Sequence, residues 1–343
     1  MLRSFGAALL VSSLLVAASG CGDDDPAGTG ARGAGASASG PGSGAAGAGA
    51  GAGAGGGAAG GGAASGGAAS GSGGAPSTMP DPAFIPSATG RCPNFVSDGA
   101  GPTTMSFAPD GKARDVEIWI SDAATAMDGP LVFYWHGTGS SPVVEPPYGL
   151  GSANVQAILA EGGIIAAAHH DPAAGQFPWF LTGGNGVEDD LRVADEVLAC
   201  AIDKVGVDLR RIHSIGMSAG GLNTTQMSWR RSGYLASVVT YSGGELFKPT
   251  VQDPDNHFAA MIFHGGPEDE VFIKFQPISE KYQQTLTADG HFAFVCDHGM
   301  KHTIPTAAVD SVHQFFVDHP FGTSPDPYQG GLPPGFPAYC TLP

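Results

Sequence analysis

The chain has 343 residues, 55 of them glycine, and 15 Lys and Arg stand against 32 Asp and Glu for a formal net charge of −17. A phosphate backbone requires a basic face, so this balance excludes nucleic acid as a partner and suits an exported protein kept soluble by its charge.

Residues 1–21 read as an export signal. Arg3 supplies the positive start, residues 5–18 an apolar stretch too short to span a bilayer comfortably, and Ala18-Ser19-Gly20-Cys21 the processing site. This end resembles a bacterial lipobox, although Ala18 stands where leucine is usual. The resemblance implies that Cys21 is lipidated and fastens the protein to a membrane in the cell envelope; a plain signal peptide and a secreted product are the alternative. Residues 22–79 open on Asp23-Asp24-Asp25 and continue almost entirely in Gly, Ala and Ser. Such a composition cannot bury a core, so a flexible tether is expected. Residues 80–343 then suffice for one α/β domain.

Within that domain, residues 114–120 (RDVEIWI) alternate as a half-exposed strand does, and residues 131–135 (LVFYW) are continuously apolar, as a buried parallel strand is. Residues 152–161 have a helical pattern, 163–168 read as another buried strand, and 188–204 as a longer amphipathic helix with Asp189-Asp190 capping its start. A short strand over 211–215, a helix over 221–231 and a strand over 237–241 follow. Residues 259–263 read as a strand, 278–288 as a helix, 291–295 as a strand and 306–317 as the last helix. Strands alternating with helices predict a mostly parallel sheet covered on both faces. Cys92, Cys200, Cys296 and Cys340 predict two disulfides in an exported domain, with three connectivities that spacing does not separate. Neither a CxxC nor an HExxH pair occurs, so no metal site is expected. His169-His170-Asp171 looks metal-like, but adjacent histidines on extended chain point to opposite sides.

Gly216-Met217-Ser218-Ala219-Gly220 fits the G-x-S-x-G elbow and lies between a strand and a helix. Its glycines permit a sharp turn that lifts the Ser218 hydroxyl to where a histidine can reach it; an ordinary strand-to-helix turn is the plainer reading. His136-Gly137-Thr138-Gly139 follows a strand, and the amides of Thr138 and Ala219 are placed to receive an oxyanion. His264-Gly265-Gly266-Pro267-Glu268-Asp269-Glu270-Val271 offers three acids to orient an imidazole, with Asp269 favoured and Glu268 still open. His298 and His302 compete for the base, and His302 is favoured because it directly precedes Thr303-Ile304-Pro305 and the last helix. The order Ser218, Asp269, His302 is the hydrolase order. Phe177-Pro178-Trp179-Phe180 lies over the strand ends, where Trp179 is either an aromatic wall for substrate or a packing residue.

Together GMSAGG, HGTG, HGG-x-x-D-x-V and HG-x-x-H-T-x-P resemble the polyhydroxybutyrate-depolymerase-like esterases of the α/β-hydrolase family, to which feruloyl and acetylxylan esterases are close. The resemblance covers about residues 90–320. It implies an α/β-hydrolase fold and ester hydrolysis through an acyl-enzyme, with Ser218, Asp269 and His302 as triad and no cofactor. The acid loop is one residue longer than the common HGTAD form, HGTG replaces a frequent HGC, and Met300-Lys301 stand where small residues are common. A polyhydroxyalkanoate-type polyester or oligomer is the expected substrate, a feruloyl or acetylated plant polysaccharide the alternative. A serine peptidase of the same fold, or a non-catalytic binding lipoprotein, is a remoter reading.

Overall fold

The computed structural model describes residues 80–343 except 98, 100 and 182–184. The expected export signal over residues 1–21, Cys21 included, and the expected tether over residues 22–79 lie outside the described residues.

Eleven strands and six α-helices occur among the described residues. In chain order they are β1 (Thr103–Phe107), β2 (Arg114–Trp119), β3 (Leu131–Trp135), α1 (Glu145–Leu150), α2 (Ser152–Ala160), β4 (Ile164–Ala168) and α3 (Asn185–Lys204). Then come β5 (Ile212–Met217), α4 (Ala219–Arg230), β6 (Ser237–Tyr241), β7 (Ala259–His264), β8 (Glu270–Val271) and β9 (Ile273–Lys274). The chain finishes with α5 (Phe275–Ala288), β10 (Ala293–Asp297), α6 (Val309–Asp318) and β11 (Cys340–Thr341).

Nine strands form one sheet in the order β1-β2-β4-β3-β5-β6-β7-β10-β11. The run from β4 to β10 is parallel, whereas β1, β2 and β11 pair antiparallel at the margins. Every residue of β3, β4, β5, β6 and β7 is buried, as expected where helices cover both faces. On one face the core takes Leu191 and Val197 from α3, Leu222 and Met227 from α4, and Tyr282 and Leu286 from α5. On the other it takes Val155 and Ile158 from α2 and Val312 and Phe315 from α6.

Several boundaries depart from the sequence pattern for identifiable reasons. In β2 only Asp115 is exposed; Glu117 and Arg114 are buried because each has a partner. Glu117 accepts from Thr104 at 2.9 Å and lies 2.7 Å from His169 Nε2, and Arg114 donates to Asp190 at 3.1 Å. Asp189 and Asp190 do not cap α3, which begins at Asn185. Asp190 is fully buried, where it also accepts the Phe180 amide at 2.9 Å. The strand expected over 291–295 runs two residues later, because His291 turns in to its own contact, with Nδ1 3.1 Å from the Phe258 carbonyl.

The disulfides join Cys92 to Cys200 and Cys296 to Cys340. The first fastens the segment before β1 to α3, closing a separation of 108 residues. The second joins residues directly opposite each other in the β10–β11 ladder.

Candidate active site

The loops that leave the C-terminal ends of β3, β5, β6, β7 and β10 converge on Ser218. This serine follows β5 and precedes α4, with φ 57° and ψ −118°. Such a backbone is uncommon for a residue with a side chain and marks stored strain. The flanking glycines are required by close approach. A Cβ on Gly220 would lie 1.8 Å from the Trp135 carbonyl oxygen, and one on Gly216 would lie 2.4 Å from the Gly220 oxygen. The Ser218 amide is anchored by the Tyr241 carbonyl at 2.8 Å.

Ser218 Oγ lies 2.9 Å from His302 Nε2, and His302 Nδ1 lies 2.7 Å from Asp269 Oδ1. An ionised carboxylate only accepts, so Nδ1 carries the proton and Nε2 is left to accept from the serine. The imidazole is stacked on the Phe275 ring, with centroids 4.7 Å apart. Asp269 is fully buried and its other oxygen accepts from Ser242 Oγ at 2.8 Å and from the Gly265 amide at 2.9 Å. Burial works against its charge, but the bonds from His302, Gly265 and Ser242 hold its carboxyl below the usual aspartate range.

Two backbone bonds tie the histidine loop to the acid loop, from the His298 amide to the His264 carbonyl at 3.0 Å and from the Lys301 amide to the Gly265 carbonyl at 3.1 Å. Gly265 admits this contact because it lacks a Cβ, which would lie 1.8 Å from the Lys301 oxygen.

Neither a family model nor any curated protein matches the chain. Solved structures do. A thermostable esterase aligns with a TM-score of 0.51 and 16% identity over 64% of this chain and 63% of its own, so the chain spans less than two thirds of that protein. The native structure described as sOPH aligns with a TM-score of 0.56 and 18% identity over 74% of this chain and 97% of its own. Native pOPH aligns with a TM-score of 0.53 and 16% identity over the same shares, 74% and 97%. The fold is the α/β-hydrolase fold.

On this α/β-hydrolase scaffold the residues expected from sequence divide clearly. Ser218, His302 and Asp269 form one hydrogen-bonded chain. Glu268 does not join it; its carboxylate is exposed and lies 2.7 Å from Lys301 Nζ. The extra residue of the loop is absorbed by a turn, closed from the Asp269 amide to the Gly266 carbonyl at 3.0 Å. His298 is buried beneath the loop, where its Nδ1 accepts the Met300 amide at 3.2 Å and burial pulls its imidazole down.

Ala219 opens α4, so its amide lies at the helix N-terminus, where backbone N–H groups lack intrahelical partners and favour negative charge. Thr138 is exposed in the HGTG loop, whose Gly137 is packed against Ser218: a Cβ there would lie 3.4 Å from Ser218 Cβ.

Trp179 is not a substrate wall. It is 1% exposed, its ring meets Trp135 edge-on at 5.0 Å, and its Nε1–H donates to the His136 carbonyl at 2.8 Å. An indole whose N–H has a buried acceptor is stable inside, so this tryptophan supports the HGTG loop from below. Phe177 of the same stretch is only partly buried and meets the exposed Phe272 edge-on at 5.8 Å. Phe272 turns the β8–β9 hairpin with φ 62°, three residues after Asp269. His169 and His170 point apart as expected, one toward Glu117 and the other toward His136, with ring centroids 5.6 Å apart.

Glu145, at the start of α1, was invisible to sequence reasoning. Its buried carboxylate accepts the Gly137 amide. A cavity of about 880 Å³ opens at the far end of the sheet, near Ala236, Ala259 and Phe292, away from Ser218.

Proposed function

We propose that the protein is an exported serine esterase that hydrolyses carboxylic esters through an acyl-enzyme. The single observation that carries the reading is the continuous chain Ser218 Oγ–His302 Nε2 at 2.9 Å and His302 Nδ1–Asp269 Oδ1 at 2.7 Å, on the strained turn between β5 and α4.

The chemistry follows from these atoms. His302 Nε2 takes the Ser218 proton as Oγ attacks the ester carbonyl, because a neutral serine hydroxyl is a weak nucleophile. Asp269 fixes the tautomer and stabilises the imidazolium that forms. The amides of Thr138 and Ala219 receive the oxyanion, each such donor contributing roughly 3–4 kcal/mol in the transition state. His302 returns its proton to the departing alcohol, and water then releases the acid by the same path. No cofactor takes part.

The substrate we favour is a polyhydroxyalkanoate-type polyester or its oligomers. Large apolar side chains stand exposed on loops leaving the strand ends that carry the site: Val143 and Val144 after β3, Leu246 after β6, Val271 and Phe272 after β7, and Met300 after β10. An apolar rim of this kind suits a water-poor polymer. The second reading, a feruloyl or acetylxylan esterase, draws support from the Phe177–Phe272 pair, which offers a ring face to a phenolic acyl group. Lipidation at Cys21, with residues 22–79 as tether, would hold the enzyme on a membrane while it works.

A panel of short hydroxyalkanoate, feruloyl and acetyl-sugar esters decides between the substrates, and a fluorophosphonate probe decides whether the site is live. An esterase labels at Ser218 and loses both labelling and hydrolysis in Ser218→Ala. A binding lipoprotein labels in neither form. Release from the membrane fraction in Cys21→Ser tests the anchor.

A further inference from the structure

The Gly137 amide, the first in the HGTG loop after His136, is already occupied. Both carboxylate oxygens of Glu145 lie 3.1 Å from its nitrogen. The other end of that peptide unit, the His136 carbonyl, accepts from Trp179 Nε1 at 2.8 Å. One peptide plane is therefore gripped at both ends by buried side chains from two different segments. Across the turn, the Ser140 amide donates to the Gly137 carbonyl at 3.2 Å, and Gly139 supplies the φ of 82° that the turn requires.

The grip is placed against the nucleophile. A Cβ on Gly137 would lie 3.2 Å from the Met217 oxygen, 3.4 Å from Ser218 Cβ and 3.5 Å from Glu145 Oε2. Glu145 is only 5% exposed. Burial pushes its carboxyl up, against the hydrogen bond from the Gly137 amide that favours its charge. A carboxylate is a costly filler for such a space, and an apolar side chain would occupy it more cheaply.

We propose that Glu145 is the positioning residue of the oxyanion loop: by occupying the Gly137 amide it locks the 136–137 peptide and leaves Thr138 as the loop amide that serves the oxyanion. The inference rests on the serine-esterase reading above. Freed from Glu145, the peptide can rotate, and its own N–H competes with the loop's working geometry.

The test compares Glu145→Ala with Glu145→Gln, which keeps an oxygen acceptor within reach of Gly137. In Glu145→Ala, kcat for p-nitrophenyl butyrate should fall about 100-fold, the loss expected for one oxyanion donor, with KM within about threefold. Inhibition by butylboronic acid, which adds to the Ser218 hydroxyl as a tetrahedral anion, should weaken by the same factor. Glu145→Gln should recover both to within about tenfold of wild type. If Glu145→Ala does not fold by circular dichroism, Glu145→Asp replaces it, because the shorter carboxylate falls short of the Gly137 amide. A folded variant with unchanged kcat and boronate inhibition overturns the proposal, as does a loss confined to KM or a Glu145→Gln as impaired as Glu145→Ala. Activity that persists in Ser218→Ala would instead sink the esterase reading; Ser218-dependent activity indifferent to Glu145 sinks only the positioning role.

Discussion

Ser242 Oγ donates to Asp269 Oδ2 at 2.8 Å from a left-handed backbone, φ 46°, at the end of β6. The acid is thus held from the end of the same strand whose Tyr241 carbonyl anchors the Ser218 amide, and its Oδ1 is left for His302. Removing this donor removes one of the bonds that keep the carboxyl low. Ser242→Ala should lower kcat about tenfold, near the worth of one hydrogen bond to a charged group, with KM unchanged. A KM effect without a kcat effect would show that Ser242 acts on binding instead.

The acid itself is tested by a pair of variants. Asp269→Asn should reduce turnover by about 10⁴, because the wrong imidazole tautomer then faces Ser218. Glu268→Gln should leave turnover near wild type, since that side chain is exposed and meets only Lys301. Initial rates measured under one assay decide, and exchanged outcomes would assign the role to Glu268.

The two histidines of the last loop should separate as sharply. His302→Ala should abolish hydrolysis and phosphonate labelling of Ser218 together. His298→Ala should keep labelling and lose thermal stability, because its buried ring underpins the Met300 turn. An inactive, fully folded His298→Ala beside an active His302→Ala would reverse the assignment.

Acid should destabilise the fold through buried histidines. Burial lowers His136 and His291 from the ordinary 6.5 to about 4. Between these values the unfolded chain binds protons that the folded chain refuses. Their contribution to stability is therefore complete above 6.5 and drains as the pH falls toward 4. At pH 5 each should have lost about 2 kcal/mol. Urea midpoints at pH 7 and pH 5 measure the loss, and His291→Gln should shrink it; an identical pH dependence in that variant would exclude His291 as a contributor.

Substrate contact at the hairpin is tested by Phe272→Ala. KM for feruloyl and long-chain esters should rise about tenfold, the worth of one aromatic contact, while acetyl esters are hydrolysed as before. Equal effects on all esters would place Phe272 outside the binding surface.

Much of this architecture was legible in the sequence where one local pattern dominates. Residues 131–135 read as a buried strand because all five are apolar, and Ser218 stood out because only small neighbours fit its turn. His302 and Asp269 could be ranked by motif, but their meeting depends on Gly265 accepting the Lys301 carbonyl against its backbone, a tertiary fact. α1 hid behind Glu145-Pro146-Pro147, a sequence that suggests a turn, and Glu145 hid with it. β1 was missed because TTMSF is short and half polar. Trp179 and Phe177 are both large aromatics two residues apart; only the His136 carbonyl decides which turns inward. The cysteine pairing required the β10–β11 register, which lies in no local spacing.

The two residues of β11 have a consequence for how copies of the protein meet one another. Without them, β10 would be the outermost strand of an eight-stranded sheet and would present unpaired N–H and C=O groups, the template on which chains add edge to edge into aggregates. The Val295–Thr341 and Cys296–Cys340 pairs cover that margin, and the Cys296–Cys340 bond makes the cover covalent. A strand this short offers almost nothing for a further chain to copy. Reduction would therefore unmask an adhesive border before it loosened the core, and the first sign of losing this bond should be turbidity at high protein concentration, with hydrolysis by the remaining soluble protein intact.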